Sequence, residues 1–190
     1  MKIGIDMDEV IAEFLLSFLD FHNEQYGTNL TKDQFESYHL WHAWGGTKED
    51  AIEKVHAFHK THHFKNIVPV DDAKRVILLL KEKHDLFVIT SRQDAVAEET
   101  KVWIQAHFPQ TFSDVHFTNH FSKNGSEKRK GDICDRIDID VMIEDSLDYA
   151  KECVRPNRRV FLLDRPWNRS QELSEGIIRV HSWNEILNQL

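Results

Sequence analysis

The sequence predicts an α/β fold: a parallel sheet with helices on both faces. Two observations predict it. Short β-rich runs of four to six residues alternate with longer segments of helical periodicity along most of the chain, the alternation of successive βαβ units. The runs are also mostly apolar throughout, as strands buried on both faces tend to be.

In order, the first run is 2–7, KIGIDM, followed by helical pattern over roughly 10–25. From there to Val68 no β-rich run occurs. Thr31-Lys32-Asp33-Gln34 reads as a capping box, in which the Thr hydroxyl and the Gln side chain satisfy each other's orphan amides. Gly45-Gly46 is a break, and Thr47 caps a predicted helix from about 48 to 63. Residues 14–66 are therefore read as a small helical insertion between the first two strands. Alternation then resumes, with strands at 86–90, 115–118, 141–143, 159–163 and 177–180 and helices at 72–84, 95–107, 130–136, 147–153 and 182–189. No internal repeat or low-complexity tract interrupts them.

The bulk composition narrows the function. With 190 residues, 41% hydrophobic and 29% charged, the chain suits one ordered α/β domain with an insertion. A formal charge of −8 argues against nucleic-acid duplexes and anionic membranes as partners, because both demand a positive footprint. Cys134 and Cys153 form no CxxC, and the N-terminal MKIGIDMDEV lacks the apolar stretch of a signal peptide. The hydrophobic segments are too short to span a bilayer. A soluble, reduced, cytoplasmic protein is expected. Its oligomeric state is left open between a monomer and a homodimer.

Chemistry concentrates where three strands end. The first ends Ile5-Asp6-Met7-Asp8, the second Ile89-Thr90-Ser91-Arg92 and the fourth Ile143-Glu144-Asp145-Ser146. Ligands of open α/β sheets bind outside the carboxyl ends of the strands, so the three are candidates for one pocket. A lone Asp-x-Asp is also an ordinary turn, and Thr-Ser an ordinary helix cap. Adjacent carboxylates are more telling, since they repel unless a cation or solvent neutralises them. The conjunction of all three, in order, carries the inference. A carboxylate can attack phosphorus and form an acyl phosphate. A second one can protonate the leaving oxygen and then take a proton from water. With both carboxylates and the phosphate negative, a hard cation with oxygen ligands is required, and Mg2+ fits best.

The succession DMDEV, VITSR, a lysine and VMIEDS resembles the motifs of the haloacid dehalogenase-like phosphatases. The resemblance implies a Rossmann-like core of residues 1–13 and 67–190 with a helical cap at 14–66. It implies Asp6 as nucleophile and Asp8 as general acid/base. Thr90, with Ser91 beside it, would bind phosphate. Asp145, Asp6 and the Asp8 backbone carbonyl would surround Mg2+, with Glu144 behind them. Members that cleave carbon–halogen bonds lack the second Asp, so Asp8 points to phosphate esters. The phosphate-binding lysine falls in Ser126-Glu127-Lys128-Arg129-Lys130-Gly131-Asp132, at Lys130, with Lys128 as runner-up; a solvated basic loop is the plain alternative. Within the superfamily the chain is similar to the compact 5′(3′)-deoxyribonucleotidases, through DMDEV, the short helical cap, ITSR, IEDS and Asp164-Arg165-Pro166-Trp167-Asn168. Arg92 and Glu144 depart from what some relatives carry.

The insertion supplies aromatics near the expected pocket: Phe14, Phe18, Tyr38, Trp41 and Trp44. Trp41 and Trp44 could stack a nucleobase or build the core of the insertion, whereas Phe14 and Phe18 are read as core. Arg92 joins Trp41 and Trp44 as a candidate substrate contact. His56, His59 and His63 share one face of the predicted helix; a solvent face is favoured over a zinc site, since no Cys or strong acidic partner completes one. Arg165-Pro166-Trp167-Asn168 reads as a turn that could rim the pocket. The expected activity is hydrolysis of a small phosphomonoester, a nucleoside monophosphate in the first instance. The rivals are a sugar-phosphate or other metabolite phosphatase, and a non-catalytic metal- or ligand-binding protein.

Overall fold

The computed structural model describes residues 1–37, 40–121, 125–169 and 172–190. Among these, β1 (Lys2–Ile5), β2 (Asp85–Thr90), β3 (Asp114–Phe117), β4 (Val141–Glu144), β5 (Arg159–Leu163) and β6 (Ile177–Val180) form one sheet. Its order is β3-β2-β1-β4-β5-β6, with every neighbouring pair parallel. The helices are α1 (Phe14–Tyr26), α2 (Trp41–Trp44), α3 (Lys48–Phe58), α4 (His62–Lys65), α5 (Ala73–Lys81), α6 (Ala97–His107), α7 (Lys130–Arg136), α8 (Leu147–Cys153) and α9 (Trp183–Gln189). The chain builds outward from β1 to β2 and β3, then returns to place β4 on the other side of β1. Connections on either side of that switch point leave in opposite directions and open a crevice at the carboxyl ends.

Two buried clusters sandwich the sheet. One contains Ile89, Met142, Val160 and Leu162, together with Cys134 of α7 and Cys153 of α8. Those cysteines are free thiols with sulfur atoms 4.0 Å apart. The other runs without interruption from Ile3, Ile5 and Val88 into Phe18, Phe58 and Phe64 of the inserted helices. Phe58 is its hub there, meeting Phe14 at 5.2 Å and Phe18 at 5.4 Å edge to face, the geometry that ring quadrupoles favour. No helix among the described residues is long and apolar enough to cross a membrane.

Most expected elements occur within a few residues of their expected bounds, and the departures have local causes. The first strand, expected over 2–7, ends at Ile5, and the following helix, expected from about 10, starts at Phe14. Between them the Met7 carbonyl accepts the amides of Ile11 and Ala12, both at 2.9 Å, with Glu9 left-handed at φ 63°. This tight turn holds Asp8 out of both elements. The Glu9 carboxylate then accepts the Leu15 amide at 2.7 Å and starts α1; Gly27, left-handed at φ 65°, ends it.

The helix expected over 48–63 is split into α3 and α4. Thr61 is responsible: its hydroxyl donates to the Phe58 carbonyl at 2.7 Å and accepts the Phe64 amide at 3.4 Å, capping a new helix. His56, His59 and His63 therefore do not share one helix. The capping box at Thr31 closes only a single 3-10 turn, with the Thr31 amide donating to Gln34 Oε1 at 2.8 Å.

Candidate active site

Asp6, just beyond β1, and Asp145, just beyond β4, meet at the switch point. Their carboxylate oxygens and one from Glu144 all lie within 4.8 Å of one another, and all three side chains are buried. Lys130, the first residue of α7, sends its ammonium between two of them, 2.7 Å from Asp6 Oδ1 and in direct contact with Glu144. Gly131 beside it lets α7 lie close to α8, because a Cβ there would lie 2.5 Å from the Glu152 carbonyl. Lys128 is exposed, and its backbone amide donates to the Thr118 carbonyl at 2.8 Å. Of the two lysines, Lys130 is the one at the carboxylates.

The electrostatics follow from burial. Desolvation raises Asp6, against the Lys130 ammonium. It raises Asp145 well above the carboxylate range, aided by repulsion from Glu144 and Asp6. Glu144 is pushed up to about 7 by burial and by Asp6, against Lys130. Burial works against the charged form of Lys130, but Asp6 and Glu144 overcome it and hold the ammonium on. Three buried carboxylates thus face one ammonium. An all-oxygen set with that deficit of positive charge suits Mg2+; among the described residues, no histidine joins a group of three that could share an ion.

Each carboxylate is held by its own donors. Glu144 Oε2 accepts the amides of Asp145 and Ser146 at 3.1 and 3.3 Å. Asp145 Oδ2 accepts the Trp167 indole N–H at 2.9 Å, and Asn168 Nδ2 donates to the Asp145 carbonyl at 2.7 Å. Asp8 is held by Arg92, whose Nη2 lies 2.7 Å from Oδ1. Thr90 is fully buried and its Oγ1 accepts the Arg92 amide at 3.2 Å.

A cavity of about 300 Å³ adjoins this cluster, with Asp145 as the member of it that lines the wall and Asp6, Glu144 and Lys130 lying behind. Its floor carries Asp8, Ser91, Arg92 and Asp145; the inserted helices supply Phe14, Phe35, Trp41, Val55, His56 and His59. His120, Phe121, Tyr149 and Trp167 close the other side. Trp41 thus lines the cavity. Trp44 does not: its ring stacks on His22 at 4.9 Å, its Nε1 donates to Asp50 at 2.8 Å and it packs on the core. Phe18 is core as expected, whereas Phe14 reaches the cavity wall. Tyr38 and His39 lie outside the described residues. Trp167 and Asn168, read from sequence as a turn that could rim the pocket and as part of the motif shared with the nucleotidases, hold Asp145. Glu9 gave no signal in sequence, yet its buried carboxylate pairs with Lys32 at 2.5 Å and its carbonyl accepts Arg165 Nη2 at 2.6 Å.

Residues 1–190 match the family described as 5′ nucleotidase, deoxy (pyrimidine), cytosolic type C protein. A nucleotidase of Clostridium acetobutylicum is 24% identical over 188 residues, spanning 98% of this chain and 91% of that protein. Two solved structures share the fold. A haloacid dehalogenase-like hydrolase of Streptococcus pneumoniae superposes with TM-score 0.70 at 9% identity, covering 99% of this chain and 97% of its own. Magnesium-bound YfnB of Bacillus subtilis superposes with TM-score 0.65 at 14% identity, with the same coverage, 99% and 97%.

Proposed function

The chain belongs to the 5′ nucleotidase, deoxy (pyrimidine), cytosolic type C family of haloacid dehalogenase-like phosphatases, and we propose that it hydrolyses nucleoside monophosphates with Mg2+ through an aspartyl-phosphate on Asp6. The observation that carries this reading is the meeting of Asp6 and Asp145 beside Lys130, next to a cavity that Asp8 faces. Asp6, Asp145 and the Asp8 backbone carbonyl would hold Mg2+, whose charge would offset the phosphoryl oxygens and the buried carboxylates.

Asp6 attacks phosphorus while the bond to the leaving oxygen breaks, and Asp8 delivers a proton to that oxygen. Asp8 then accepts a proton from water as the water attacks the acyl phosphate, freeing phosphate and restoring Asp6. Lys130 supplies positive charge 2.7 Å from Asp6, opposing the effect of its burial, and with Thr90 and Ser91 it binds the phosphoryl oxygens. Residues 14–66 act as a cap over a core of 1–13 and 67–190, excluding water from the reaction.

The cavity wall favours a flat, largely apolar leaving group. Phe14, Phe35, Val55 and Trp41 offer faces for a base, and His56 and His59 are the imidazoles that could meet its polar edge. A sugar phosphate would set its hydroxyls against that apolar wall, losing hydration without replacement. The test is a panel of nucleoside monophosphates, sugar phosphates and p-nitrophenyl phosphate, with and without Mg2+. Nucleotide hydrolysis that EDTA abolishes and Mg2+ restores is expected. Faster turnover of sugar phosphates than of every nucleotide would overturn the substrate assignment.

A further inference from the structure

Arg92 is unusual among the residues around the cavity floor. Its side chain is 3% exposed, and each part of the guanidinium has a fixed partner. Nη2 reaches Asp8 Oδ1 at 2.7 Å, and Nε lies 3.2 Å from both Asp8 oxygens. Nη1 donates to Thr100 Oγ1 of α6 at 3.2 Å. The face of the group lies 4.9 Å from the centre of the Phe64 ring on α4, a cation–π distance. Two helices thus lock a planar fork, and the fork locks Asp8.

The locking is asymmetric. Oδ1 accepts from both Nη2 and Nε, whereas among the described residues Oδ2 has only the Nε contact at 3.2 Å. Oδ2 is therefore the carboxyl oxygen with spare hydrogen-bonding capacity. The Asp8 side chain is 28% exposed and lines the cavity, where a leaving oxygen would arrive. Guanidinium groups are permanent cations, so Arg92 steers the proton without supplying it. The same geometry leaves little of the fork to grip a phosphate.

We infer that Arg92 is a positioning residue for proton transfer: it presents Asp8 Oδ2 to the leaving oxygen and, through Phe64, ties that alignment to the inserted helices. This rests on the reading of Asp8 as the general acid/base. A residue that acts only through the acid matters only when the leaving group needs a proton. Alkoxide leaving groups of nucleotides need one; 2,4-dinitrophenolate does not.

The experiment compares Arg92→Gln with the unaltered enzyme on a nucleoside 5′-monophosphate and on 2,4-dinitrophenyl phosphate, both with Mg2+. General-acid contributions run to about 100-fold or more, so kcat/KM should fall about that much on the nucleotide and less than about threefold on the aryl ester. Asp8→Asn should show the same selectivity, and the double variant should be no slower on the nucleotide than Asp8→Asn alone. Inhibition by inorganic phosphate should be unchanged, a readout that loss of a phosphate clamp would move. If Arg92→Gln folds poorly, Thr100→Val keeps the guanidinium and removes one anchor, and should give a smaller loss with the same selectivity. Equal losses on both esters, or additive losses in the double variant, overturn the positioning role while leaving the phosphatase reading intact. Hydrolysis of neither ester by the unaltered enzyme sinks both.

Discussion

The indole N–H of Trp167 donates to Asp145 Oδ2 across 2.9 Å, joining the turn after β5 to the carboxylate after β4. Both side chains are buried. Trp167→Phe keeps the ring and removes the donor. Partners that orient ligands typically contribute about 10–100-fold to metal affinity. The Mg2+ concentration for half-maximal activity should rise by about tenfold, with kcat at saturating Mg2+ changed much less; an unaltered titration would separate Trp167 from the metal site.

Asp6→Asn removes the proposed nucleophile but keeps its shape. Hydrolysis of p-nitrophenyl phosphate should fall by about a thousandfold or more, since an amide cannot form the acyl phosphate. The thermal transition should stay cooperative, because the change also relieves a crowded set of buried carboxylates. A variant retaining most of its rate would refute the assignment.

Lys130 and Lys128 should behave oppositely. Lys130→Ala leaves Asp6 and Glu144 without their buried cation, and breaking such a pair costs about 3–5 kcal/mol, softened where a carboxyl takes up a proton. Both activity and urea midpoint should drop. Lys128→Ala, at an exposed position, should stay within about 0.5 kcal/mol and keep its rate.

Trp41 and Trp44 should separate by readout. Trp41→Ala should raise KM for a nucleotide by about tenfold if the indole stacks a base, at about 1–3 kcal/mol per base, with little change in melting temperature. Trp44→Ala should lower stability by about 2 kcal/mol, as loss of a large, partly buried ring does.

His59 gives a pH dependence of stability. Burial, with the Arg92 cation and His56 nearby, lowers it from 6.5 to about 3. Above pH 6.5 the imidazole is neutral in both folded and unfolded chains and contributes nothing to the difference. As pH falls from about 6.5 toward 3, the unfolded chain binds a proton that the folded one refuses, so stability declines with acid. Other histidines titrate too, so the test is the difference between the unaltered chain and His59→Phe. The gap in urea midpoint should shift in favour of the variant between pH 7 and pH 4.5; a pH-independent gap would show that His59 charges freely in the fold.

The strands and carboxylate motifs were legible because their signals are local. An apolar run such as Arg159–Leu163 announces a buried strand, and Asp6, Thr90 and Asp145 sit at run ends that a parallel sheet must gather. The lysine was ambiguous in sequence because Lys128 and Lys130 share one basic loop; only the packed chain puts Lys130 at Asp6 and Glu144 and leaves Lys128 exposed. Trp167 was read as part of a turn that could rim the pocket, and it lines the cavity; its bond to Asp145 and the contacts of Glu9 were not read, because their partners are side chains or backbone atoms distant in sequence or across a turn, and no periodicity records such contacts. Thr61 looked like one more helical residue, and only its bonds to Phe58 and Phe64 make it a boundary.

By itself the sequence determined the kind of chain this is: a parallel α/β sheet carrying carboxylates at successive strand ends, the materials of a phosphatase. The tertiary structure decided which groups touch, placing Arg92 on Asp8, Trp167 on Asp145, Trp41 at the cavity and Trp44 against the core. The division has a physical reason. Periodicity and residue type reflect each segment's burial, whereas a hydrogen bond or ion pair depends on a few ångströms and an angle between segments, which only the packed chain fixes.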